Sequence, residues 1–277
     1  MSTSPKVWFI TGTSRGFGRE WAQAALDRGD KVVATARDTD TLKALVETYG
    51  DDVLTLALDV TDKAAVDAAV ARAHEHFGRL DVVVNNAGYG LFGTVEEVSE
   101  DEARAQIETN LFGALWVTKA VLPVLRAQGS GHILQVSSIG GVTAFENLGL
   151  YHASKWGLEG LSQSLALEVA RFGVRVTIVE PTGYSTEWSG SSAVHAAPID
   201  AYEPARRARA ARVKPGMVGD PAATRDPILE IVDAEEPPLR FFLGRGQVER
   251  IGQEYARRME TWQAWSELSD RAHGDVS

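Results

Sequence analysis

The strongest constraint on this chain is an alternation of two kinds of segment. Short apolar runs recur at KVWFIT (6–11), KVVATA (31–36), VLTLALDV (53–60), LDVVVNNAG (80–88), HILQVSS (132–138) and VRVTIVEP (174–181). Each reads as a strand. Segments 17–28, 39–49, 61–77, 101–128 and 151–172 lie between or after them with helical apolar spacing. Strands without polar alternation are buried on both faces, which requires a parallel sheet with helices on either side. Right-handed crossovers then make the sheet doubly wound. The pattern loosens over 187–220 and resumes with a helix near 220–233 and a short strand at RFFLG (240–244). The last thirty or so residues read as helical. The expected organisation is one α/β domain over 1–245, with 187–220 as an insertion covering substrate and 246–277 as a helical extension.

Composition narrows the function. A net charge of −10 over 277 residues leaves no broad basic face for nucleic acid or anionic lipid. No cysteine is present, so disulfides, thiolate metal sites and cysteine nucleophiles are excluded. The opening MSTSPKVWFITG lacks the charged and apolar regions of a signal peptide, and no apolar run approaches a membrane span. A soluble, cytoplasmic protein is expected. His195 and the HEH at 74–76 lack partners at metal-ligand spacing, so no metal is assigned.

The first strand ends in TGTSRGFG (11–18). Gly12, Gly16 and Gly18 allow a tight turn that brings backbone N–H groups to a pyrophosphate at a helix N-terminus. This loop, including Ser14, Arg15 and Phe17, is the candidate nucleotide cradle. At the end of the second strand the sequence reads ATARD (34–38). Arg37 suits the 2′-phosphate of NADP(H), and Arg15 can add a second positive charge. Asp38 is the rival signal for NAD(H), but it also suits a helix cap before TDTL. NADP(H) is the preferred reading. Asp59 ends the third strand and can either accept the adenine amino group or start the next helix.

Taken together, the glycine loop, Asp59 with Val60, Asn85-Asn86-Ala87-Gly88, Asn110, Ser138, and Tyr151 with Lys155 resemble the short-chain dehydrogenase/reductases. The similarity is to the compact branch with a TGxxxGxG loop, and to its steroid- and retinol-dehydrogenase-like bacterial members. It is strongest over roughly 6–186. The resemblance implies a seven-stranded sheet of order 3-2-1-4-5-6-7 and a homo-oligomer, dimer or tetramer. It implies Tyr151 as general acid/base, Lys155 lowering the tyrosine pKa, Ser138 on the substrate oxygen and Asn110 holding a relay water. Asn86, Ala87 and Gly88 would line the cofactor, as would Pro181, Gly183 and Thr186. After the sixth strand, PTGYST (181–186) departs from the family's usual Pro-Gly, because Thr182 takes the glycine place. That leaves the backbone path at 182 open.

The chemistry needs such residues. Hydride transfer to a ketone creates an alkoxide that must gain a proton. A free tyrosine, with a pKa near about 10, is a poor proton exchanger at neutral pH unless a nearby ammonium favours its phenolate. Tyr151 and Lys155 are spaced i and i+4, on one helix face. Gly140, Val142, Phe145, Leu148, Tyr184 and Trp188 are the expected substrate contacts. Their apolar and aromatic character implies a lipophilic ketone or secondary alcohol. Two alternatives stand beside this reading: an NAD-linked alcohol dehydrogenase, and a nucleotide-sensing protein without catalysis.

Overall fold

A computed structural model of the chain describes residues 5–186, 188, 190, 192–210 and 218–274. The expected insertion is therefore described only in part. Its residues 187, 189, 191 and 211–217 lie outside the described residues, as does Arg212 of the basic run at 206–212.

Seven parallel strands form the main sheet: β1 (Val7–Ile10), β2 (Lys31–Ala36), β3 (Val53–Ala57), β4 (Val82–Asn85), β5 (Gly131–Val136), β6 (Val174–Pro181) and β7 (Arg240–Leu243). Their spatial order is 3-2-1-4-5-6-7. The sheet reverses direction of winding between β1 and β4, which opens the crevice where such sheets bind ligands. Side chains alternate across it. Trp8 and Ile10 of β1 join one core with Trp21, Val84, Val179 and Ile228. Val7 and Phe9 join the opposite core with Val83, Val117, Leu125 and Ile133. Both faces of the strands are thus dry, which is why their sequences read as unbroken apolar runs.

The helices are α1 (Gly16–Asp27), α2 (Lys43–Tyr49), α3 (Lys63–Phe77), α4 (Glu100–Ile107), α5 (Gly113–Gln128), α6 (Gly149–Val169), α7 (Glu203–Ala210) and α8 (Arg225–Asp233). The first core receives α1 and α8, the second α3, α5 and α6. Trp21 joins α1 to the turn before α8 by donating its indole N–H to Thr224 at 2.7 Å. Caps fix the starts. Asp62 accepts from the Ala65 amide to begin α3, and Ser99 with Glu102 forms a reciprocal capping box on α4.

One expected helix is not continuous. The 101–128 stretch is broken by a π turn, Glu108–Phe112, between α4 and α5. Its cause is Asn110. The side-chain oxygen accepts from the Tyr89 amide at 3.1 Å, and the side-chain amide donates to the Tyr89 carbonyl at 3.0 Å. Holding that inward side chain widens the turn, and π turns concentrate at functional positions.

The chain divides after Leu243. From Gly244 on, a second unit consists of α9 (Gln247–Ala264) and α10 (Ser266–His273). Trp262 and Trp265 on it are exposed.

Candidate active site

The C-terminal ends of the parallel strands gather the residues singled out in the sequence. After β1, Gly12 and Gly16 have φ of +72° and +59°, a region that side chains resist. Gly18 has no room for a Cβ against the Gly12 carbonyl and the Asn86 side-chain amide. The loop is cross-tied to the turn after β4. Asn86 donates to the carbonyls of Thr11 and Gly12 at 2.9 and 3.0 Å, and the Thr11 hydroxyl accepts from the Asn86 and Ala87 amides. The Asn86 side chain therefore shapes the cradle, while its donors are spent within the protein. At the start of α1, Arg15 is extended and no side chain caps the helix. Ser14, Phe17 and the first-turn amides thus stand where a pyrophosphate can take the place of a cap. The residues fit a nucleotide.

Arg37 follows β2 and is exposed. Asp38 accepts from the Asp40 amide at 3.0 Å and caps the short turn before α2. Asp59 accepts from the Thr61 amide and hydroxyl at 2.9 and 2.7 Å. It shapes the turn after β3, and the helix start belongs to Asp62. Val60 fills the space a side chain would need at Gly113, so it packs on α5.

After β6 the path at 182 is regular. The Thr182 amide donates to the Leu243 carbonyl at 2.9 Å, which continues the register of β6 with β7 past Pro181, and the backbone there does not need a glycine. The Gly183 carbonyl accepts from Gly219 at 2.9 Å. Thr186 returns to the glycine loop, 3.7 Å from where a Gly16 Cβ would be. The Tyr184 ring meets Phe17 edge-on at 5.0 Å, and Phe17 stacks on Trp21 at 5.4 Å. It packs against the core beside the glycine loop.

Four side chains converge above the sheet. Ser138 follows β5 in an extended conformation, its hydroxyl accepting from the Gly140 amide at 3.0 Å. Tyr151 and Lys155 lie one turn apart on α6, both buried. Ser138 adjoins the tyrosine hydroxyl and favours its charged form. The Lys155 amine donates to the Val136 carbonyl at 2.7 Å and stands 5.8 Å from the centre of the Tyr151 ring. Asn110 reaches the same cluster, donating at 3.2 Å to Ser154, whose hydroxyl donates to the Tyr151 carbonyl at 2.7 Å. Gly88 fits between them, since a Cβ would stand 3.0 Å from the Asn110 oxygen and 3.8 Å from the Lys155 amine.

Burial dominates the electrostatics. It pushes Tyr151 up to about 12, against a lowering by Ser138, and pushes Lys155 down to about 8, against a raising by Glu159. Desolvation disfavours the charged form of each. The Lys155 amine is held at Val136, and at Tyr151 burial outweighs the lowering by Ser138.

An aromatic wall faces Tyr151. Trp188 lies 5.0 Å from the Tyr151 ring, Phe92 lies 5.2 Å from Trp188, and His195 stacks on Phe92 at 5.1 Å. Two-residue strands, Leu91–Phe92 and Val194–His195, pair to hold the wall. Val142 and Leu148 are buried nearby. Phe145 packs edge-on against His152 at 5.3 Å. Gly140 is pressed by His152 and Tyr151, 2.8 and 3.3 Å from where its Cβ would be. Phe92, His152 and Glu159 adjoin this cluster without having been singled out in the sequence. His152 follows Tyr151 directly, and Glu159 repeats the i, i+4 spacing beyond Lys155.

A sequence profile described as short chain dehydrogenase matches residues 6–195. This chain belongs to the short-chain dehydrogenase family. As such a dehydrogenase it is 44% identical over 268 residues to "Oxidoreductase BOA17" of Botryotinia fuckeliana, with 95% of this chain and 98% of that protein covered. A solved short-chain dehydrogenase from Streptomyces avermitilis superposes with a TM-score of 0.89 at 38% identity, covering 98% of this chain and all of that one. An alcohol dehydrogenase from Thermococcus sibiricus, solved with 5-hydroxy-NADP, has a TM-score of 0.74 at 28% identity over 87% of this chain and 96% of its own. Family membership makes this an oxidoreductase that works with a nucleotide cofactor. No helix among the described residues is long and apolar enough to cross a membrane.

Proposed function

We propose that the protein is an NADP(H)-dependent carbonyl reductase acting on a lipophilic ketone, reversible as a secondary-alcohol dehydrogenase. The observation that carries this reading is the buried Tyr151, with Ser138 beside it and Trp188 5.0 Å from its ring. The nicotinamide nucleotide, when bound, supplies the hydride. The chain handles the proton. Tyr151, up at about 12, remains a phenol across the neutral range and so holds the proton that the carbonyl oxygen takes as negative charge develops there, a transfer that needs the phenolate to be favoured by a nearby charge. Ser138 donates a preorganised hydrogen bond to the same oxygen. Lys155 carries a charge that turns over near neutrality and holds the nicotinamide ribose. Its amine, released from Val136, favours the phenolate that proton donation leaves behind.

Asn110 holds the water of the proton relay. Its side chain is taken by Tyr89 and Ser154, so the main chain of the π turn holds the water. NADP(H) is favoured over NAD(H) by exposed Arg37 and Arg15 and by the commitment of Asp38 to its cap. The NADP derivative in the Thermococcus relative points the same way. The aromatic wall supports a bulky apolar substrate. The exposed Phe112 on the π turn and Trp156 and Leu167 on α6 support a homo-oligomer, dimer or tetramer, formed through those elements. The working site is the cytoplasm.

The test is consumption of NADPH and NADH across ketones from small keto esters to steroids, beside Tyr151→Phe. Turnover with NADPH on bulky apolar ketones supports the reading. Nucleotide binding without turnover on any carbonyl would favour the non-catalytic sensor.

A further inference from the structure

A second polar layer lies behind the Tyr151–Lys155 face. Glu159 is one turn beyond Lys155 on α6, and Glu180 is the penultimate residue of β6. Ser137 immediately precedes Ser138, and Arg240 begins β7. Glu159, Glu180 and Ser137 are all buried, Glu180 fully. The 139–141 turn separates this layer from the catalytic one. A Cβ on Gly140 would meet Tyr151, whereas one on Gly141 would meet the Ser137 hydroxyl at 2.6 Å and the Glu159 carboxyl at 3.0 Å.

The layer has too few donors for two carboxylates. Arg240 donates its Nε–H to Glu159 at 3.1 Å and one terminal N–H to Gln163 at 2.9 Å. Its Nε stands 3.6 Å from Glu180, too far for a hydrogen bond. Written as a carboxylate, Glu180 has no donor for either oxygen. Written as a carboxylic acid, it can turn to the Glu159 carboxyl, which has an oxygen without a partner and lies on the same Arg240 Nε, 3.1 Å from it against 3.6 Å for Glu180. Two acids on one guanidinium in a dry interior favour a proton between them, because a second carboxylate would be left without a hydrogen-bond donor. The charged groups facing the pair are Arg240 from β7 and Lys155 from α6, while β5 contributes only the neutral Ser137. One negative charge therefore remains, and it lies on the Lys155 face of α6.

We propose that Glu159 and Glu180 share a single proton and so carry one negative charge between them, and that this charge makes Glu159 a positioning residue that keeps Lys155 protonated. Glu180 donates its hydrogen to Glu159 and stays neutral. Arg240 clamps Glu159. Glu159 in turn is the one anion that favours the buried Lys155 ammonium. The consequence for turnover rests on the function proposed above, whereas the protonation states do not.

Two measurements test this without relying on catalysis. Infrared spectroscopy of the whole wild-type protein with isotope-labelled glutamate should show a buried protonated carboxyl at neutral pH, lost on alkaline titration and missing in Glu180→Gln. Absence of that band in wild type overturns the shared proton, whatever the variant does. NMR of isotope-labelled lysine should show Lys155 titrating about half a unit or more lower in Glu159→Gln, about a threefold loss of charged fraction on the alkaline side. Glu159→Asp, which withdraws the charge, should fall between. An unmoved Lys155 in a folded variant overturns the positioning role. Absent turnover on every carbonyl would overturn the proposed function and leave both results standing.

Discussion

Tyr151 and Lys155 share one face of α6, yet the Lys155 amine is bound to the Val136 carbonyl at 2.7 Å and stands 5.8 Å from the tyrosine ring centre. In this arrangement each group feels burial more than its neighbour. The tyrosine is a weak acid at about 12 and the lysine titrates at about 8. Reduction needs a protonated Tyr151 and a charged Lys155. Below about 8 both conditions hold, and above it the ammonium is lost. Reductive kcat/KM, which reports groups of the free enzyme, should therefore fall as pH rises through about 8. A flat profile to high pH would remove Lys155 from this role.

Tyr151→Phe keeps the ring that packs on Trp188 and removes the proton donor. Turnover should drop by roughly 100-fold to 10,000-fold, the range for a lost general acid. Nucleotide binding, followed by fluorescence titration, should stay within about twofold because the change loses little binding energy.

Arg37→Ala removes an exposed guanidinium at the end of β2. A charge-assisted hydrogen bond contributes about 1.5–3 kcal/mol, so NADPH affinity should fall roughly 10-fold to 100-fold. NADH affinity should hold. Equal losses measured by calorimetry would mean that Arg37 does not read the 2′-phosphate.

Glu97 ties the covering segment to the body. Its buried carboxylate accepts from the Thr94 amide at 2.8 Å, from the Ile199 amide at 2.8 Å and from Arg206. These bonds hold it down at about 2. Glu97→Ala leaves Arg206 and the Ile199 amide short of an acceptor. Residues 194–206 should then open more often, seen as faster cleavage by limited proteolysis and a raised KM with kcat less affected. Because the folded pKa is depressed, this anchoring is present above the ordinary value of 4.5 and is lost as pH falls toward 2.

Glu180 has the opposite sign. Burial pushes it from the ordinary 4.5 up to about 8, so the fold favours its protonated form. Its contribution to stability is full below about 4.5 and is lost as pH rises toward about 8. Glu180→Gln needs no proton and should remove that decline. Relative to wild type its stability should rise with pH, by up to roughly 3 kcal/mol near pH 7, as read by urea unfolding. A parallel pH dependence in the two proteins would rule this out.

What the sequence by itself determined is what depends on local pattern. Unbroken apolar runs can only be strands buried on both faces, so the order of elements and the doubly wound sheet were readable before any coordinates. The glycine loop was readable from its place between a strand and a helix, and Ser138, Tyr151 and Lys155 through the resemblance that they, the loop and Asn85-Asn86-Ala87-Gly88 together carry. Tertiary structure decided what depends on contacts between distant segments. Asn110 bends its helix into a π turn because Tyr89 holds it. Tyr184 packs on Phe17, and Phe92 meets Trp188 beside a strand pair whose partners, such as Phe92 and His195, are 103 residues apart in sequence. The Lys155 amine bonds the Val136 carbonyl, and Glu159 of α6 and Glu180 of β6 converge on Arg240. Periodicity records which face of an element is buried, but not which partner it is buried against, and desolvation by those partners is what sets the charge of Tyr151, Lys155 and Glu180.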